Sequence, residues 1–118
     1  MTYTVYGIKA CDTCRKAVRW LNEQGIEAQL YDLREDGLPK GLLTDWLREL
    51  GAESLVNRRS TTWRELDETQ REKAMGSDAE SILLQHPTLI KRPLVQVNGQ
   101  WVNGFSARQY ETLFAGAD

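Results

Sequence analysis

The stretch Gly7-Ile8-Lys9-Ala10-Cys11-Asp12-Thr13-Cys14-Arg15-Lys16-Ala17 decides how this chain is read. Just before it, Tyr3-Thr4-Val5-Tyr6 is β-branched and aromatic and ends at Gly7, which predicts a first strand. Beyond it, Ala17, Val18, Trp20, Leu21 and Gln24 fall at helical spacings. Asp12 and Thr13 are good N-cap types for that helix, and Gly25 is its stop. Ile26 to Leu33 alternates apolar with polar residues and predicts a second strand. Strand, helix and strand in this order imply parallel strands joined by a right-handed crossover. The two cysteines therefore fall where the first strand turns into the first helix.

Outward from this unit the pattern changes. Pro39 to Leu50 places Leu42, Leu43, Trp46, Leu47 and Leu50 on one helical face, with Gly51 as the stop. Short helical pieces follow at Trp63–Leu66, Thr69–Met75 and Ser77–Gln85, the last ended by His86-Pro87. Strands then return. Pro93 opens one that continues as Leu94-Val95-Gln96-Val97, and Asn98-Gly99 is a two-residue hairpin signal. Gln100-Trp101-Val102 is the return strand, and Ser106 caps a final helix carrying Tyr110, Leu113 and Phe114. The expected fold class is α/β: a mixed sheet built as β-α-β … β-β-α, with a helical insertion at about 36–90 in one domain spanning 1–118.

Composition narrows the function. A chain of 118 residues, 41% hydrophobic and 27% charged, can bury a core without disulfide staples. A formal net charge of -2 argues against nucleic acid as a partner. The first residues show no basic segment followed by an apolar run, and no stretch approaches the ~18 apolar residues of a spanning helix. The expectation is a cytoplasmic monomer without membrane attachment, working where thiols stay reduced. There a Cys-x-x-Cys pair is catalytic or metal-binding rather than a permanent staple.

At a helix N-terminus, Cys11 faces unpaired backbone N–H groups and the positive end of the helix dipole, which favour thiolate over thiol. Lys9, Arg15 and Lys16 add positive charge, and Asp12 opposes it. Cys14 lies one turn on, on the same face, where it can resolve a mixed disulfide formed at Cys11. Two plainer readings compete. Zinc needs about four ligands, and this chain offers one cysteine pair and His86, so no metal is expected. Two core cysteines would not need the strand-to-helix junction. A Cys-x-x-Cys beside a βαβ pattern is the mark of a thioredoxin-like redox site, so the sheet is expected to be thioredoxin-like. The four tryptophans read as packing residues, and His86 as a helix-end residue.

Three blocks together resemble the ArsC/Spx/YffB family. They are Gly7 to Ala17, Asn57-Arg58-Arg59-Ser60-Thr61-Thr62-Trp63, and His86-Pro87-Thr88-Leu89-Ile90-Lys91-Arg92-Pro93-Leu94-Val95. They occur in the family's order, and the likeness runs from about Tyr3 to Phe114. The Gly-Ile-Lys-x-Cys-Asp-Thr opening and the Arg-x-Thr-Thr-Trp block are most similar to the YffB-type branch. The resemblance implies a thioredoxin-like fold with a helical insertion and a reactive cysteine at Cys11. It also implies a cis proline at Pro93, and an Arg-Pro pair at Arg92-Pro93. Arg59 matches an arginine shared by the Spx and YffB branches.

The expected activity is a glutathione-dependent thiol or disulfide reductase. Cys11 and Cys14 do the chemistry; Arg59, Arg92 and Pro93 hold the substrate or glutathione; no cofactor is tightly bound. Arsenate reduction with glutathione and glutaredoxin as electron source is a second reading. The family's arsenate reductases use three arginines, and where the last would lie this chain has Val102-Asn103-Gly104-Phe105-Ser106, with Arg108 only further on. A third reading is a Spx-like redox-sensing regulator that binds RNA polymerase.

Overall fold

The structure is a computed structural model in which residues 2–115 are described. The strands are β1 (Tyr3–Gly7), β2 (Ala28–Asp32), β3 (Leu94–Val97) and β4 (Gln100–Asn103). The helices are α1 (Asp12–Glu23), α2 (Lys40–Leu55), α3 (Thr61–Glu65), α4 (Glu68–Ala74), α5 (Ala79–Gln85) and α6 (Ala107–Phe114). The chain forms two compact units: one of the residues up to Asp36 together with those from Arg92 onward, the other of Gly37–Lys91.

The first unit carries a four-stranded mixed sheet in the order β2-β1-β3-β4. β1 and β2 run parallel from Tyr3 opposite Ala28 to Gly7 opposite Asp32, as a β-α-β crossover requires. β3 lies antiparallel to β1, with Tyr6 opposite Leu94, and to β4. The β3–β4 turn places Asn98 at φ 52° and Gly99 at φ 79°, the left-handed pair that an Asn-Gly hairpin turn needs. Val5, Ala17, Leu21, Val95, Val97, Tyr110 and Phe114 form the core, so β1, α1, β3 and α6 share one apolar layer.

In the first unit the starts of α1 and of β2 differ from the sequence reading. Cys11, not Asp12 or Thr13, occupies the N-cap of α1, and Asp12 is its first helical residue. There the Asp12 carboxylate complements the dipole and pairs with Lys16 at 3.1 Å and Arg15 at 3.6 Å. β2 also begins later than Ile26. Gly25 at φ 79° closes α1, the Gly25 N–H donating to the Asn22 carbonyl and the Ile26 N–H to that of Leu21. That is a Schellman motif, and it ties Ile26 to the helix end rather than to the strand. Ser106 caps α6, its hydroxyl accepting from the Gln109 N–H at 3.1 Å.

The second unit is helical. Gly51, at φ 77° and ψ 159°, interrupts α2, which resumes for one turn to Leu55 instead of stopping at Leu50. Ser60 caps α3 by accepting from the Trp63 N–H, and Asp67 with Gln70 makes a capping box on α4. α5 starts at Ala79 rather than Ser77, and His86 links it to a single 3-10 turn, Pro87–Leu89. Within this unit the end of α2 meets the segment after the 3-10 turn through an antiparallel bridge between Val56 and Ile90 and a 2.7 Å bond from the Lys91 N–H to the Leu55 carbonyl. Leu43, Trp46, Leu55, Leu83, Leu89 and Ile90 are fully buried. Among the described residues no helix is long and apolar enough to cross a membrane.

Candidate active site

The Cys11 N–H donates to the Ile8 carbonyl at 2.9 Å, closing a turn between β1 and α1, and the Cys11 carbonyl takes the first helical bond, from the Arg15 N–H at 3.2 Å. Both cysteines are free thiols: Cys11 half-buried, Cys14 fully buried on the face of α1 that also buries Ala17 and Leu21. Cys11 caps α1 without a formal side-chain capping bond, yet the Cys14 N–H, one turn in, faces its sulfur.

Opposing forces set the Cys11 thiol. Burial, the largest, raises its pKa; the Cys14 N–H, the Cys14 thiol and the Arg92 guanidinium favour the thiolate and together hold it below the ordinary thiol range. Cys14 moves the other way, pushed up to about 12 by burial above all and also by the neighbouring Cys11 sulfur, against a backbone hydrogen bond from Ile8 and the charge of Arg92. Two cysteines three positions apart are thus driven in opposite directions, one toward thiolate and one toward thiol.

The cation acting on Cys11 is Arg92, not the residues flanking the pair in sequence. Lys9 is paired with Glu35 at 2.7 Å, and Arg15 and Lys16 with Asp12. Each of these pairs is exposed, where water screens it. Arg92 arrives from far along the chain because β3 pairs with β1. The Arg92–Pro93 peptide bond is cis; Pro93 is buried, and its carbonyl accepts from the Gly104 N–H at 2.9 Å.

Cys11, Cys14, Arg92 and Pro93 therefore all belong to the sheet unit, whereas Arg59 belongs to the helical one. Arg59 stands in the exposed turn before α3, its N–H donating to Asn57 Oδ1 at 3.0 Å. Arg108 is exposed on α6.

Two residues of this site have roles that the sequence reading did not assign. Gly7 matters for the space it leaves: a Cβ there would stand 2.4 Å from Cys14 Sγ and 3.1 Å from Cys14 Cβ. Asp32, 2% exposed, is a buried carboxylate at the end of β2. Its Oδ2 accepts from the Lys9 N–H at 2.8 Å, and its Oδ1 from Arg34 and Glu35 at 2.7 and 2.9 Å. It thereby anchors the loop that leads into Cys11. An acidic residue closing a strand was the available signal, but only the Gly7–Asp32 register of β1 and β2 shows what it holds.

Fold and site together define a thioredoxin-like protein with a paired-cysteine centre at the start of α1. The ArsC family model matches residues 6–113, and the chain belongs to that family. An uncharacterized protein of Haemophilus influenzae is 46% identical over 112 residues, covering 95% of this chain and 98% of its own. The global transcriptional regulator Spx of Streptococcus mutans is 28% identical, covering 87% of this chain and 76% of its own. A solved structure titled YFFB superposes with a TM-score of 0.81 at 38% identity, over 94% of this chain and 97% of that one.

Proposed function

We propose that the protein is a glutathione-dependent disulfide reductase whose nucleophile is Cys11. The observation that carries this reading is the placement of the two thiols at one helix start, Cys11 half-buried at the N-cap of α1 and Cys14 fully buried one turn on, which lowers the pKa of the first and raises that of the second. The Cys11 thiolate attacks one sulfur of a substrate disulfide, forming a mixed disulfide and releasing the other half as a thiolate that takes up a proton. Bonding of the Cys11 sulfur removes the neighbour that helps to hold the proton on Cys14, while the Ile8 backbone and Arg92 still favour its thiolate. Cys14 then attacks Cys11, releasing the second substrate thiol and leaving a Cys11–Cys14 disulfide. Two glutathione molecules restore the dithiol: one forms a mixed disulfide, and the second displaces it as glutathione disulfide. Two electrons and two protons pass to the substrate in each cycle. Arg92 steadies the thiolate and the anionic partner; Arg59 is assigned to anion binding by the family resemblance alone.

The rate of Cys11 alkylation by iodoacetamide against pH tests this reading, in wild type, Arg92→Gln and Cys14→Ser. The expected midpoint for wild type lies below the ~8.5 of an ordinary thiol. Arg92→Gln should move it upward, and Cys14→Ser should accumulate a glutathione adduct detected by mass. A midpoint at or above the ordinary value, with no adduct in Cys14→Ser, would refute it.

A regulatory reading has one observation in its favour, the 28% identity to a protein named as a global transcriptional regulator. In that reading the cysteine pair is a switch that alters binding to RNA polymerase. Co-purification with polymerase that depends on the oxidation state of the pair, without turnover of any disulfide, would favour it.

A further inference from the structure

A cavity of about 410 Å³ lies beside the turn that leads into Cys11, lined by Ile8, Lys9, Ala10, Asp32, Arg34 and Glu35. Ile8, Lys9 and Ala10 belong to the turn closed by the Cys11 N–H on the Ile8 carbonyl. The ends of such a turn lie within about 7 Å of each other. The cavity wall, at Ile8, therefore stands within about 7 Å of Cys11, measured between Cα atoms.

Its charges fall into two sets. Asp32 is 2% exposed and turned to the backbone N–H groups of Lys9, Arg34 and Glu35, so it supports the floor. At the rim, Lys9 and Glu35 form an exposed ion pair at 2.7 Å. Arg34 is exposed and makes no ion pair among the described residues. The cavity thus offers a planar guanidinium suited to a carboxylate, next to a carboxylate that can trade its lysine for another ammonium.

We infer that this cavity receives the γ-glutamyl end of glutathione, its α-carboxylate on Arg34 and its α-ammonium on Glu35, while its cysteinyl sulfur meets Cys11. The inference rests on the glutathione-dependent reading above. Glutathione spans the required distance, because about two extended residues cover ~7 Å. Its glycyl end carries an anion alone and would leave Glu35 unmatched, so the zwitterionic end fits better. The site acts in the donor half of the cycle, in which two glutathione thiols become one glutathione disulfide and the Cys11–Cys14 disulfide becomes two thiols.

The test is reduction of bis(2-hydroxyethyl) disulfide by the full-length protein, with glutathione, γ-glutamylcysteine or cysteinylglycine as donor, in wild type and Arg34→Gln. Losing a charge-assisted contact at an exposed site should raise KM for glutathione and γ-glutamylcysteine about tenfold. Cysteinylglycine, which has no γ-glutamyl group, should respond little. Alkylation of Cys11 by uncharged iodoacetamide reports whether the variant keeps an intact site, and its pH profile should match wild type. An unchanged KM for γ-glutamylcysteine would overturn the inference, as would an equal rise with cysteinylglycine, which would place the glycyl carboxylate there instead. A wild-type protein whose Cys11 alkylates as a thiolate but which no glutathione concentration reduces would overturn the parent reading, and the subsite with it.

Discussion

Replacing Gly7 with alanine should destabilise the protein, although the same change within a strand ordinarily helps. Glycine inside a strand costs about 0.5–1 kcal/mol relative to alanine, and Gly7 lacks the positive φ that would make a side chain strained. What opposes alanine is the Cys14 sulfur, 2.4 Å from the new Cβ. Ordinary non-bonded contacts of this kind lie near ~3.5–4.0 Å, so the overlap exceeds about 1 Å. Cys14 sits in the first turn of α1 at 0% exposure, on the face that buries Ala17 and Leu21, and has little room to retreat. Overpacking of this size costs about 2–3 kcal/mol, which leaves a net loss near 2 kcal/mol after the glycine gain. At about 4 °C per kcal/mol for a domain of this length, Tm should fall by roughly 8 °C. The assay is urea and thermal unfolding of wild type, Gly7→Ala, Cys14→Ala and the double variant under reducing conditions. Without the sulfur, the remaining close contact is with the residue 14 Cβ at 3.1 Å, which a small shift of α1 relieves. Most of the loss should therefore disappear in the Cys14→Ala background, as a coupling energy of about 1.5–2 kcal/mol. A Gly7→Ala protein within 0.5 kcal/mol of wild type, or one equally destabilised with and without Cys14, would refute the reasoning.

Asp32→Asn should destabilise the protein at neutral pH by about 1–3 kcal/mol, since an amide cannot accept from all the N–H groups that the carboxylate serves. The backbone N–H groups of Lys9 and Glu35, first among its partners, hold the Asp32 carboxyl below the usual carboxylate value. Its contribution is therefore complete above the unfolded value near ~3.9 and is lost as pH falls through the folded one. Stability measured between pH 6 and about 2 should fall more steeply in wild type than in Asp32→Asn, which keeps only the slope of other carboxylates such as Asp12. Tyr110→Phe should leave the fold intact and raise stability by about 1 kcal/mol, because the Tyr110 hydroxyl is buried without a hydrogen-bond partner among the described residues. The ring's edge contacts with Phe105 at 4.7 Å and Trp20 at 5.9 Å survive the change. A loss of more than about 1 kcal/mol on chemical denaturation would mean that the hydroxyl has a partner.

Most elements of this fold are local statements, and local chemistry made them legible. Asn98-Gly99 marks its hairpin because both positions need left-handed backbone that few other residues tolerate. Ser106 marks the start of α6, and Gly25 the end of α1, for equally local reasons. The boundaries that moved are those where a neighbour outbid the intrinsic preference: Gly51 bends α2 without ending it, and the turn out of α1 takes Ile26 from β2. At the site, the position of Cys11 at a helix start could be read from spacing alone. Which cation serves it could not.

The sequence by itself determined the β-α-β opening, the hairpin with its closing helix, and the placement of a cysteine pair at a strand-to-helix junction. These depend on periodicity, caps and turns, which act over a few residues. Only the tertiary structure decided that Arg92 rather than Lys9, Arg15 or Lys16 favours the Cys11 thiolate, that Gly7 makes room for the Cys14 sulfur, and that Asp32 anchors the loop before Cys11. Each joins residues that lie apart in the chain, and Coulomb energy, steric overlap and hydrogen bonding depend on distance in space, which strand pairing sets and sequence separation does not.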